Sequence, residues 1–300
     1  MFKNNDIVCF LGDSITAAGL WEAEVYQILR KKYRIRCYNC GVAGSTADKA
    51  LGYFYSECLI YNPDYVVLMF GMNDLDRLLY SEGSINMADL DKHREEKNKK
   101  HIEKYEEIIK SCKEFGAEVI ICLPTPYDEI TEGDEIILHF QQALNKAADM
   151  QIELSEKYNC KVVNFKDNML PMLGKHKIVC EDRVHPTEYG YHVMAQIFLK
   201  ELAEIEECDF ATPFVFEDWN MKRFDAEQKN GKLNYVELCD LYFEGYAKDK
   251  KVEEIKEMAK KKLEMWEDKS TYIPQAYEEY IEKGHMRLKN KGEVVKLTVF

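Results

Sequence analysis

Apolar positions in the first two-thirds of the chain follow two alternating rhythms. Short runs rich in β-branched residues stand at 7–11, 35–40, 65–70, 118–123 and 161–165. Such compact runs predict buried strands. Between them, apolar side chains recur at helical spacing, as in Trp21, Val25, Ile28 and Leu29, or in Ile102, Tyr105, Ile108 and Ile109 within 99–115. A last helix is predicted over 187–203, just after His185-Pro186. Wholly apolar strands alternating with helices imply a parallel sheet covered by helices on both faces. In such sheets ligands bind at the carboxyl ends of the strands. Five strands and their crossovers account for residues 1–205, with the charged stretch 81–100 read as a solvated loop and helix start.

After about residue 205 the alternation stops. Residues 206–300 carry aromatic clusters and a highly charged helical pattern over 252–266, whose apolar face is Val252, Ile255, Ala259, Leu263 and Trp266. The run at 294–300 reads as a strand. The chain therefore divides into a domain at 1–205 and a mainly helical extension at 206–300, packed on the core or on a second copy of the chain.

Charge and cysteine usage narrow the partners. A formal net charge of −13 disfavours nucleic acid and anionic membrane surfaces. No segment approaches the ~18 uninterrupted apolar residues of a membrane span. The N-terminus shows no basic region followed by an apolar stretch, so a cytoplasmic location is expected. Ten cysteines, several inside apolar runs, fit reduced core thiols better than a disulfide framework. Cys37 and Cys40 form one CxxC, but no second pair or nearby histidine completes a zinc set, so no metal is expected.

Four short segments fall where this architecture would place chemistry. Gly12-Asp13-Ser14 follows the first strand, where Ser14 is either exposed at the sheet edge as a nucleophile or, like Asp13, simply a helix cap. Asn39-Cys40-Gly41-Val42-Ala43-Gly44 follows the second; its glycines serve a turn or bring a backbone N–H close to a reacting oxygen. Gly71-Met72-Asn73-Asp74 follows the third, where Asn73 can donate to an oxyanion or form an Asx turn. Asp182-Arg183-Val184-His185-Pro186 offers a base with an acid three residues before it.

Taken together and in this order, these segments resemble the blocks of the SGNH/GDSL hydrolases, over residues 5–205. The resemblance implies a flavodoxin-like three-layer α/β/α sandwich with a five-stranded parallel sheet. It further implies a Ser14–His185–Asp182 triad, an oxyanion hole of the Ser14 and Gly44 N–H groups and the Asn73 amide, and no cofactor. The Asn39 spacing favours Gly44 over Gly41 for the oxyanion role, and Asp13 is expected to support the turn. The first block reads GDSI where GDSL is commoner. The remaining histidines (His93, His101, His139, His176, His192 and His285) are expected at the surface or in packing, with His192 packed near the triad.

Enzymes of this type include esterases, thioesterases, lysophospholipases and deacetylases of acetylated sugars. Composition favours a small soluble ester, with an acetylated carbohydrate as the leading candidate. An O-acyltransferase on the same scaffold and an inactive binding protein are the alternatives; the intact set of Ser14, Asn73, Asp182 and His185 speaks against the latter. The extension is expected to form a pocket rim or a homo-oligomer interface, with Trp219, Tyr272, Tyr277 and Tyr280 available to stack on sugar rings.

Overall fold

The structure is a computed structural model. It describes residues 1–29, 33, 35–81, 87–132 and 136–203, with three further strands at 222–224, 285–290 and 293–298. Five parallel strands form the centre: β1 (Ile7–Gly12), β2 (Arg36–Asn39), β3 (Tyr65–Met69), β4 (Glu118–Cys122) and β5 (Lys161–Val163). Their order is β5-β4-β3-β1-β2. Eight helices accompany them among the described residues: α1 (Ser14–Ala17), α2 (Leu20–Leu29), α3 (Ala47–Ala50), α4 (Phe54–Glu57), α5 (Met87–Phe115), α6 (Phe140–Tyr158), α7 (Phe165–Met169) and α8 (Glu188–Ala203).

Strand side chains alternate between two cores, as the two-residue period of a strand requires. Val8, Phe10, Cys37, Val67, Met69 and Ile120 face a cluster built with α2, α7 and α8. Ile7, Cys9, Leu11, Tyr38, Val66 and Leu68 face the other, built with α3, α4, α5 and the end of α6. Both faces are dry, which explains why the strands read as uninterrupted apolar runs. The predicted three-layer α/β/α sandwich is the observed fold.

Two boundaries differ from the sequence reading. The charged stretch 81–100 is mostly helix: α5 begins at Met87 and runs 29 residues. Its first turns carry opposite charges four residues apart, Lys92–Glu96 at 4.0 Å and Lys99–Glu103 at 3.8 Å, a spacing that suits a solvated helix. The fifth strand stops at Val163 because Asn164 caps α7, accepting the Asp167 N–H at 2.9 Å. Phe165 therefore enters a helix and the first core instead of ending the strand.

In the extension, β6 (Lys222–Phe224), β7 (His285–Asn290) and β8 (Glu293–Thr298) continue the sheet, with β7 parallel to β2 and β8 antiparallel to β7. The strand expected at 294–300 thus corresponds to β8. The helix expected at 252–266 and the aromatic residues Trp219, Tyr272, Tyr277 and Tyr280 lie outside the described residues.

The α2/α8 side is held by an aromatic cluster. Phe198 lies fully buried, with ring centroids 5.4 Å from Trp21, 6.0 Å from Phe10 and 6.5 Å from Phe2. Removing such a ring costs both transfer energy and a cavity. Phe198→Ala is expected to lower the unfolding free energy by about 3–5 kcal/mol, measured by urea denaturation.

Candidate active site

The site grows from the strand ends. The chain leaves β1 for β2 on one side and then returns to β3 on the other, so a crevice opens where the connections diverge. Register sets the three loops level: Gly12 pairs with Met69, and Phe10 pairs with Asn39. The loop after β2 is tied to β1 by Cys40 N–H to Phe10 O at 2.8 Å and Val42 N–H to Gly12 O at 3.0 Å. Asn39 adds a second tie, donating to Thr16 O and accepting the Gly41 N–H.

Asp182 and His185 arrive from the opposite direction, on the loop before α8. The chain doubles back there through an antiparallel bridge between Val179 and Pro186, with Cys180 N–H donating to His185 O at 2.8 Å. Arg183, at φ 66° between the two residues, donates from Nη1 to Asp128 O at 3.0 Å and to Thr131 O at 2.9 Å. Asp128 N–H returns a bond to Arg183 O at 3.0 Å. This brace was not legible in the sequence, where Arg183 is only the second residue of a DxxH run.

The structure brings Ser14, His185 and Asp182 into one hydrogen-bonded chain. Ser14 Oγ lies 2.8 Å from His185 Nε2, and His185 Nδ1 contacts Asp182 Oδ2. The other carboxylate oxygen, Oδ1, accepts the backbone N–H groups of Val184 and His185, each at 3.0 Å. Partial burial pushes the Asp182 carboxyl up, but the bonds from the His185 ring and from the two N–H groups outweigh it and hold the carboxyl below its usual value. An ionised Asp182 places the imidazole proton on Nδ1 and leaves Nε2 as an acceptor for the serine proton.

Asn73 joins the same place. Its side-chain amide donates to Ser45 O at 3.1 Å and, weakly, to Asp13 Oδ2 at 3.4 Å. The two glycines separate by packing. A Cβ on Gly41 would stand 2.4 Å from the Ala17 backbone nitrogen, so Gly41 exists to let the loop lie against α1. Gly44 has φ 71° and open space where a Cβ would be, so its N–H belongs to a loop surface clear of packing.

Residues 10–193 match the GDSL-like Lipase/Acylhydrolase family. The chain belongs to this family. It is a carboxylic ester hydrolase. An acetylxylan esterase of Geobacillus stearothermophilus is 26% identical over 219 residues, which are 64% of this chain and 92% of that protein. A crystal structure of an acetylxylan esterase from the same organism superposes with a TM-score of 0.55 at 20% identity, covering 66% of this chain and 94% of that one. A gut microbial diltiazem-metabolizing enzyme superposes at 0.62 and 23% identity, over 68% of this chain and 48% of that longer chain. At these identities the structural matches speak for the fold alone.

In this GDSL-family esterase two histidines depart from the surface or packing role expected of them. His192 is buried and paired with Glu24, Nδ1 to Oε1 at 2.8 Å, joining α8 to α2. His101 is buried beside Asp74, behind the Asn73 loop. Helical spacing offered the only signal: His101, Tyr105, Ile108 and Cys112 share one buried stripe of α5. The Cys37-x-x-Cys40 pair does not converge, because a separation of three puts the two on opposite faces of the sheet edge. Cys40 instead meets Cys9 and Cys58, the three sulfurs lying within 4.8 Å of one another in the second core. Burial there pushes the Cys58 thiol well above its usual value, which favours neutral thiols.

A cavity of about 750 Å³ adjoins the triad loop, walled by Asp128, Thr131, Lys175, His176, Glu181 and Arg183. Ser14, Asn73 and His185 are not in its wall. Among the described residues no helix is long and apolar enough to cross a membrane.

Asp13 sits directly under the crevice and caps α1, accepting the Ile15 N–H at 3.0 Å. Burial pushes its carboxyl up to about 7, with the nearby Asp74 adding to the rise against the Ile15 bond and His185. A folded value of about 7 against an unfolded value near 4 means the folded state binds the proton more tightly. Stability at this group is therefore full below about pH 4 and lost as pH rises through 7. Asp13→Asn keeps an acceptor for Ile15 and removes that loss. Chemical denaturation at pH 5 and pH 8 is expected to show the variant gaining about 1 kcal/mol or more on the parent at pH 8 and less at pH 5.

Proposed function

We propose that this esterase cleaves a small soluble acyl ester, with acetylated oligosaccharides as its substrate class, using Ser14 as nucleophile. The observation that carries the reading is the unbroken chain Ser14–His185–Asp182, with Asn73 beside it. His185 Nε2 takes the Ser14 proton as Oγ attacks the acyl carbonyl, and Asp182 stabilises the imidazolium that forms. The carbonyl oxygen, now an anion, is received by the N–H groups of Ser14 and Gly44 and by the Asn73 amide, which exchanges its long contact to Asp13 for the stronger acceptor. His185 then protonates the departing alcohol. Water enters by the same route, His185 again acting as base, and the acid is released.

The acetylated-carbohydrate reading is supported by the likeness to an acetylxylan esterase along 92% of that protein's length. A cytoplasmic location fits the eight cysteines of the described residues, all present as free thiols. In this reading residues 1–205 form the catalytic domain. Residues 206–300 border the pocket or meet a second copy, and β7 already extends the sheet beside β2.

Ser14→Ala is expected to lower kcat on an aryl acetate by about 10⁴-fold or more, and Asn73→Ala by about 10²–10³-fold with little change in KM. Activity of Ser14→Ala near that of the parent sinks the assignment. A panel of aryl esters of increasing chain length, run beside acetylated xylo- and manno-oligosaccharides, is expected to favour acetyl groups and the sugar substrates. A preference for long acyl chains sends the reading to a lysophospholipase or thioesterase instead. Product diverted from free acid to an added sugar acceptor marks an acyltransferase.

A further inference from the structure

Behind the candidate oxyanion hole lies a second histidine–carboxylate pair that takes no part in the proton transfers above. His101 on α5, Asp74 after β3 and Gln151 on α6 are all buried. His101 Nδ1 stands 2.9 Å from Asp74 Oδ1, a close contact whose angle falls short of a well-aligned hydrogen bond. On its other side, His101 Nε2 lies 3.0 Å from Gln151 Nε2. The Gln151 amide also donates to Phe70 O at 2.9 Å. With the amide donating to Nε2, the imidazole carries its N–H on Nδ1, facing the Asp74 carboxylate. Tyr105, one turn along α5, packs edge-on against the His101 ring at 5.4 Å and donates its hydroxyl to Leu68 O at 3.0 Å.

The importance of the network lies in what each end holds. Asp74 is the residue after Asn73, and its Oδ1 also accepts the Ala47 N–H at 2.8 Å. Ala47 opens α3, three residues beyond Gly44. Phe70, gripped by Gln151, is the last residue before Gly71-Met72-Asn73. The two loops that carry Gly44 and Asn73 are thus stapled to each other through Asp74 and to α5 and α6 through His101 and Gln151. A buried carboxylate with one backbone donor is under-compensated, so the His101 N–H is what keeps Asp74 facing inward.

Resting on the oxyanion-hole reading above, we propose that His101 is a positioning residue: through Asp74 it fixes the spacing between the Gly44 N–H and the Asn73 amide. Oxyanion donors act only when held in place before the reaction, so a loosened staple weakens transition-state binding more than substrate binding.

The test compares His101→Leu with His101→Asn, whose side-chain N–H₂ replaces Nδ1–H, each alone and on an Asn73→Ala background. Kinetics are run on an aryl acetate, with kcat expressed per folded molecule by circular dichroism. His101→Leu is expected to lower kcat about 10–100-fold with KM within about twofold, and His101→Asn to recover most of the loss. On the Asn73→Ala background the same His101→Leu change is expected to cost less than about threefold, since the donor it positions is gone. Unchanged kcat per folded molecule, or a loss that multiplies fully with Asn73→Ala, overturns the inference. If His101→Leu does not fold, Gln151→Met, which releases Phe70 O and the ring together, is read in the same cycle by the same criteria. Ser14→Ala measured alongside separates the failures: if it stays active, the underlying site reading is wrong, whereas an inactive Ser14→Ala beside a fully active His101→Leu rejects only the staple.

Discussion

Right-handed crossovers between parallel strands govern everything that follows in this molecule. A chain that leaves β1 for β2 in one direction, then reaches β3 on the other side of β1, must put its helices on opposite faces and leave a crevice between the diverging loops. Three loops end at that crevice at one level, because the register pairs Gly12 with Met69 and Phe10 with Asn39. Only the Asp182–His185 loop comes from elsewhere, and it is the one that needs external bracing, from Arg183 to the carbonyls of Asp128 and Thr131. The sheet provides rigid positions for the acceptor side of the chemistry; the braced hairpin supplies the base.

Three aspartates around this crevice show how one residue type is set to different tasks by its surroundings. Asp182 has two backbone donors and the His185 ring, so it is held ionised and orients the imidazole. Asp13 has a single backbone donor and complete burial, which pushes it up to about 7. Asp74 combines one backbone donor with a facing histidine. An anion forming at the carbonyl oxygen is best served when the neighbouring carboxyl is neutral or turned away. The raised Asp13 and the tethered Asp74 meet those two conditions by different means.

Much of the site was legible because its signals are local. Ser14, Asn73 and the Asp182/His185 pair each stand within a few residues of a strand end or helix start, where spacing alone exposes them. The choice between Gly41 and Gly44 needed packing, since it turns on the Ala17 nitrogen 2.4 Å from a Cβ that Gly41 lacks. His101 and His192 were misjudged for a related reason: Gln151 and Glu24, their partners, lie 50 and 168 positions away. The start of α5 was hidden by its charges, which read as a solvated loop until their four-residue pairing was seen on a helix. Long-range polar pairs and charge-stabilised helices carry no hydrophobic rhythm, so periodicity cannot find them.

The account stands or falls on Ser14 Oγ being the atom that attacks. Reaction of the intact protein with a fluorophosphonate, followed by proteolysis and mass spectrometry of the adducts, tests this most directly. One phosphonyl group per chain, carried by the peptide that contains Ser14 and formed much more slowly in His185→Ala, is the predicted result. An adduct on a different serine, or on Ser14 at a rate indifferent to His185, contradicts it.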